Sequence, residues 1–193
     1  LGLVQMKNND AKVLASQNRK SDTVEFRIRI PRRGDIDWMT SSFEGMGWSK
    51  PEGHFDRYIE EQAAGLVNVF CAETREGMYV GHLKLVWNPN YSYFREHDIP
   101  EIQDLNVLPQ FRRMKAGTML VEQAERTVIA KRPKVGIGFG LYSDYGPAQR
   151  MYIRLGYVPD GQGVSYRNSK VAPGENVSVD DDLILFLVKD LRK

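Results

Sequence analysis

The chain runs to 193 residues, 41% of them hydrophobic, 27% charged and 10% aromatic, a length and composition that build one core and exclude the disordered class. Its 27 Lys and Arg against 25 Asp and Glu leave a net charge of +2, too little for the broad field that grips duplex nucleic acid, so any anion site is local. A single cysteine excludes a disulfide framework, and no apolar run approaches the ~18 residues of a membrane helix.

Cys71 lies in the apolar run "LVNVFC" and reads as a small buried hydrophobe rather than a nucleophile. Its solitary occurrence and the lack of a leader pattern lead us to expect a cytoplasmic protein without membrane or nucleic-acid partners. Residues 1–22 are set apart as an N-terminal extension, and residues 23–193 are expected to form a single domain.

In chain order, "TVEFRIRIP" alternates apolar and polar residues and predicts a first strand with Phe26, Ile28 and Ile30 on one face. Two short helices follow, "GDIDWMTSSF" and "HFDRYIEEQAAG", the first capped by Asp35, with a Gly/Pro-rich loop between them. "LVNVFCAET" and "MYVGHLKLVW", joined by "REG", form the clearest hairpin. "NPNYSYFREHD" is expected to be an aromatic loop. "EIQDLNVL" is a strand on which strict alternation places Glu101, Gln103, Leu105 and Val107 on one face. From Ala116 to about Lys131, Leu120, Ala124 and Val128 mark the inner face of a long helix, supported by a Glu122/Arg126 pair. In the strand "KVGIGFGLY", alternate glycines leave one face bare for another backbone or a ligand. "GPAQRMYIRLG" is a helix between Pro147 and Gly156, and "YVPDG" and "LILFLVKDL" complete the sheet. Asp180–Asp182 read as a charged turn. His54, His82 and His97 lack zinc-like spacing. The fold class is α+β, a mixed, mostly antiparallel sheet of about seven strands flanked by about four helices.

The segment "PQFRRMKAGTML" places Arg112, Arg113 and Lys115 at the start of the long helix, the end where cations are unfavourable. A multiply charged anion reverses that judgement. Unpaired N–H groups, small residues at Ala116, Gly117 and Thr118, and three cations suit a pyrophosphate; a solvated basic helix start is the alternative.

These motifs resemble the GNAT superfamily of acyl-CoA-dependent N-acyltransferases. Arg112, Lys115 and Gly117 fall on the defined positions of its Q/R-x-x-G-x-G/A loop, and Ala148, Tyr152, Gly156 and Tyr157 on those of N-x-x-A-x-x-x-Y-x-x-x-G-F/Y. Lys115 replaces the first glycine and Tyr145 the asparagine. The resemblance implies acetyl transfer from acetyl-CoA to a primary amine of a small molecule or peptide, with no metal, in a family for which self-association as a homodimer is plausible. It implies cofactor contacts at Leu105, Asn106 and Val107, along Arg112, Arg113, Met114, Lys115, Ala116, Gly117 and Thr118, and at Tyr145 and Ala148. Tyr152 takes the position of the acid that protonates the departing thiolate. Glu101 and Asp104 are the candidate bases. Trp38, Phe43, Trp48 and Tyr93 would either line an acceptor pocket or pack as core. A CoA-binding sensor on the same fold is the competing reading.

Overall fold

The computed structural model describes residues 25–44 and 50–193. Its elements are β1 (Phe26–Arg29), α1 (Ile36–Glu44), α2 (His54–Ala63), β2 (Val67–Thr74), β3 (Tyr79–Val86), α3 (Ser92–Glu96), β4 (Glu101–Val107), α4 (Ala116–Ile129), β5 (Lys134–Gly140), α5 (Gly146–Arg154), β6 (Val158–Tyr166), β7 (Ser169–Lys170) and β8 (Leu183–Asp190). Eight strands form one sheet in the order β1-β2-β3-β4-β5-β8-β6-β7. All neighbours are antiparallel except β4 and β5.

The two elements beyond the expected counts are short. α3 lies in the segment expected to be a loop, anchored by the fully buried Phe94. β7 returns from β6 through Arg167 and Asn168, both at positive φ (52° and 64°), the pair of conformations a type I′ hairpin turn requires. The first predicted short helix is α1, with Met39 and Phe43 buried, and Asp35 just before it accepts the Arg32 N–H at 2.7 Å and holds the Arg29 guanidinium at 2.7 and 2.9 Å.

β2 and β3 pair as the predicted hairpin. They are buried on both sides, which explains their nearly continuous apolar runs. α2 covers the face carrying His82 and Lys84, which meet its Tyr58 and Glu61. α4 covers the other face with Ala116, Leu120, Val121, Ala124 and Val128 buried. Arg126 donates to Gln123 at 3.0 Å rather than pairing with Glu122. Cys71 is fully buried, its Sγ 3.4 Å from the Arg29 carbonyl.

Two expectations about strand faces change. A bulge in β4 lets Asn106 oppose His82 and Gln103 oppose Lys84, so β4 carries one extra residue, and Asp104 takes it up at φ 47°. The slip inverts the side-chain alternation: Gln103 and Asp104 face the α2 layer together, while Val107 meets α4 near Gly117. The bare face of β5 is covered by side chains. A Cβ on Gly136 would lie 2.2 Å from the Phe94 ring, one on Gly138 2.8 Å from Ile184, and one on Gly140 2.5 Å from the Tyr145 ring. Tyr91, Phe94, Ile99 and Phe186 form a second small core here, with Tyr91 and Phe186 stacked at 3.8 Å. No helix among the described residues is long and apolar enough to cross a membrane.

Candidate active site

β4 and β5 run side by side for only two registers, Glu101↔Gly136 and Ile102↔Ile137, although β4 continues to Val107 and β5 to Gly140. Beyond Ile102 the strands part. One backbone edge of Leu105–Val107 therefore borders a gap, while the other edge stays paired with β3 at Asn106 and Val107. Gly81 makes that pairing close: a Cβ there would sit 2.2 Å from the Asn106 carbonyl oxygen.

The chain leaves β4, makes a short turn at Pro109–Phe111 and enters α4. Arg113 and Lys115 both adopt left-handed conformations, φ 64° and 70°, and Lys115 is the residue immediately before the helix. A lysine there does what a glycine would do, at a conformational cost of about 1 kcal/mol or more. Two left-handed residues curl the backbone into a concave turn whose N–H groups suit an anion. Arg112, Arg113, Met114 and Lys115 are exposed around it, and the Arg112 Nε donates to the Val107 carbonyl at 3.2 Å, tying the turn to the end of β4. Ala116 is buried. A Cβ on Gly117 would meet nothing closer than Met151 Sδ at 3.5 Å, so the second small residue fits either Gly or Ala.

Glu101 is 6% exposed. Burial pushes its carboxyl up to about 7, against the opposing hydrogen bond from Gln103 and the charge of Lys84; the Gln103 amide donates to Oε2 at 2.9 Å. A carboxyl poised there exchanges protons at neutral pH. A cavity of about 270 Å³ is walled by Glu61 of α2, Leu66 and Val67, Lys84 and Val86 of β3, Asn88 and Asn90, and Gln103 of β4; Glu101 is not in its wall and adjoins it through the Gln103 side chain. The larger hollow of about 440 Å³ along α5, with Phe139, Arg150 and Arg154, has no carboxylate in its walls.

Asp104 sits in the opposite situation. Its Oδ2 accepts from Tyr58 Oη at 2.7 Å, His82 Nε2 at 2.9 Å and His54 Nε2 at 3.3 Å, and its Oδ1 from Asn106 Nδ2 at 2.6 Å and Lys50 Nζ at 3.0 Å. Five donors fill an acceptor with about four lone-pair sites. Burial alone would raise this carboxyl; the hydrogen bonds from His54 and His82 and the charge of Lys50 outweigh it and hold it far below the usual carboxylate range. His82 is wholly buried, which lowers its pKa, and its Nδ1 meets the Tyr79 hydroxyl. That network assigns a neutral His82 with the proton on Nε2. Lys50, His54, Tyr58 and Asn106 were not foreseen as one group; they converge from segments more than forty residues apart, with no local sequence signal.

Tyr152 on α5 is 5% exposed, with Phe139 stacked 6.4 Å away and Tyr157 at 6.1 Å. Burial raises its pKa well above the ordinary phenol value, so it carries its proton at neutral pH. Ala148 lies one turn before it on the same helix. Tyr145 precedes α5, its ring against Gly140 and its hydroxyl donating to Asp181 at 2.9 Å. Of the aromatic residues expected at the acceptor end, Phe43 is core, in contact with Phe55, Tyr79 and His82. Trp38 packs between Tyr79 and the Arg29 guanidinium. Tyr93 packs against His97, the rings tilted by 37°, at the surface of the second core. None of the three lies in the wall of the cavity beside Glu101. Trp48 lies outside the described residues. Among the described residues no group of three or more His, Cys, Asp or Glu is arranged to hold a metal ion.

A parted β4–β5 pair next to a cationic helix start defines a class of fold, and the sequence agrees with it. The model of the Acetyltransferase (GNAT) family matches residues 36–157, well over half of the chain, and the protein belongs to that family of acyltransferases. No curated protein matches the sequence. Among solved structures, the chain is similar to a spermidine N-acetyltransferase from Vibrio cholerae in complex with CoA and spermine, at 16% identity and a TM-score of 0.60, with 87% of this chain and 96% of that one covered. It is similar to NAA60 from Arabidopsis thaliana in complex with acetyl-CoA, at 11% identity and a TM-score of 0.63, covering 88% and 100%. It is also similar to an acetyltransferase of the GNAT family from Staphylococcus aureus, at 14% identity and a TM-score of 0.58, covering 86% and 99%. At these identities the likeness is one of fold.

Proposed function

We propose that the chain moves an acetyl group from acetyl-CoA directly to a primary amine of a small molecule or peptide, in the cytoplasm. The observation that carries this reading is the meeting, at one place, of the β4–β5 gap with the left-handed, cationic turn that opens α4. The backbone N–H groups of Ala116, Gly117 and Thr118 would receive the diphosphate, with Arg112, Arg113 and Lys115 supplying counter-charge and Met114 flanking them. The free edge of Leu105–Val107 would hold the pantetheine arm and polarise the thioester carbonyl, with Tyr145 and Ala148 across the gap. The bound co-substrate supplies an activated acyl group; positioning it against the amine supplies much of the rate.

Glu101 takes the proton from the ammonium, directly or through one water. The amine nitrogen then forms its bond to the carbonyl carbon as the carbon–sulfur bond breaks, and Tyr152 gives its phenolic proton to the sulfur. The second proton, still on the new amide nitrogen, passes through water to the Tyr152 phenolate and restores it, and the proton held by Glu101 leaves to solvent. The base is Glu101 rather than Asp104, since Asp104 is saturated with donors and held ionised. The acceptor enters by the 270 Å³ cavity beside Glu101, a volume at the small end of ligand sites. Spermine, the amine in complex with the Vibrio protein, supports an amine acceptor as a class.

Thermal unfolding with acetyl-CoA, CoA and NADH tests the cradle. A ligand at ~100 times its Kd stabilises by about 2.7 kcal/mol, and the CoA forms are expected to give that shift in the parent chain and a smaller one in Arg113→Ala. Thiol release with a panel of amines then tests transfer, and Tyr152→Phe is expected to lower kcat by roughly 10²–10⁴ with the shift retained. An unchanged kcat removes the acid role from Tyr152. A shift without thiol release from any amine would leave a CoA-binding module instead of an enzyme.

A further inference from the structure

We infer that Asp104 is a positioning residue of the acetyl-transfer site: its carboxylate latches the β4 bulge to α2 and β3 and thereby aims the Leu105–Val107 backbone into the β4–β5 gap. The inference rests on the acetyl-transfer reading.

Geometry supports it at three points. Asp104 is the residue that absorbs the register slip, in a left-handed conformation that strands do not otherwise use. It is followed directly by the three residues whose free edge borders the gap. Its side chain reaches back across the layer to Tyr58 and His54 of α2, to Lys50 before that helix, and to His82 of β3. Asn106 closes the circuit within β4: its Nδ2 donates to the Asp104 Oδ1 and reaches the Asp104 carbonyl at 3.2 Å. A bulge held only by its own strand is soft; one held by five donors from four segments has a single position. Asp and Asn tolerate the left-handed region, so the residue type suits the backbone as well as the donors.

Charge leads to the same residue. The helix α2 that carries Tyr58 and His54 also contributes Glu61 to the wall of the acceptor cavity. One carboxylate thus fixes the acceptor wall and the thioester-facing backbone relative to each other, which is the distance that transfer depends on. An error of ~1 Å in such a distance can cost a hundredfold in rate.

The test is Asp104→Asn, which keeps the shape and the left-handed tolerance but removes the charge and turns one acceptor into a donor. With wild type turning over an amine, Asp104→Asn is expected to lower kcat roughly ten- to hundredfold, while the acetyl-CoA affinity measured by calorimetry stays within about threefold, because the diphosphate cradle lies elsewhere. Asp104→Gly separates carboxylate from backbone: it keeps the positive φ without strain and is expected to lose kcat similarly. A kcat retained in either folded variant overturns the latch. If both fail to fold, Lys50→Met and Tyr58→Phe each remove one donor; a several-fold fall in kcat at unchanged acetyl-CoA affinity supports the latch, and unchanged kcat in both overturns it. Absence of thiol release by the wild type with every amine would overturn the acetyl-transfer reading, and the latch with it.

Discussion

Glu101 and Asp104 lie three positions apart on one strand, and their environments push them to opposite ends of the carboxylate range. Glu101 is enclosed with one donor and one distant cation, and titrates near neutrality at about 7. Its linkage sign follows from a folded pKa above the unfolded ~4.3: the native state holds the extra proton between those values, so this group's contribution to stability falls as pH rises through the window and is fully unfavourable above it. Glu101→Gln is therefore expected to gain stability relative to wild type between about pH 5 and 8, read from urea midpoints at each pH. The same variant should lose the rise in kcat/KM expected of wild type around pH 7, with a rate loss of roughly 10²–10⁴. Lys115 offers a second prediction. Lys115→Gly relieves the left-handed strain and should stabilise the empty protein by about 1 kcal/mol, yet weaken acetyl-CoA binding by removing a charge from the cradle. Both carboxylates were legible as candidates from the sequence. Their division of roles was not, because the donors that saturate Asp104 come from Lys50, His54, Tyr58 and His82, and only the folded chain brings these together.

The elements show where pattern reading holds. The β2–β3 hairpin and the buried face of α4 follow directly from apolar spacing, because each is a long segment packed on one consistent side. β4 breaks the period-two rule at its bulge, and a one-residue slip moves every later side chain to the other face. α3 is only five residues long, too short for helical periodicity to declare itself. The β6–β7 turn uses Arg167 and Asn168 without the glycine that marks such hairpins in sequence. β5 is the most exacting element. Its glycines are footprints for rings, and Gly136→Ala would drive a Cβ to 2.2 Å from Phe94; the expected cost is about 1–3 kcal/mol, seen as a lower urea midpoint with an unchanged m-value.

Across the whole molecule, the sheet carries two cores, the main one beneath α1, α2 and α4 and a small aromatic one over β5 and β8. Asp104 is the polar tie through the first. Removing its side chain leaves buried donors without an acceptor, and Asp104→Ala is expected to cost about 3–5 kcal/mol in chemical denaturation, the penalty of breaking a buried ionic cluster from one side. The family was readable because its motif residues are contiguous; the strand order β5-β8-β6 and the convergence on Asp104 were not, since both join segments distant in the chain.

The lone cysteine has a practical consequence for every assay above. Burial pushes the Cys71 thiol up to about 12, and it is sealed on β2 between the edge strand β1 and β3. While the sheet is closed, a disulfide reagent added to count liberated CoA meets no protein sulfhydryl to count with it. Once β1 peels away or the chain opens, one equivalent per molecule becomes reactive. The rate at which that equivalent appears in the absence of substrate is therefore a clock for opening of the sheet, and its slowing by acetyl-CoA would time the closure of the fold around its co-substrate.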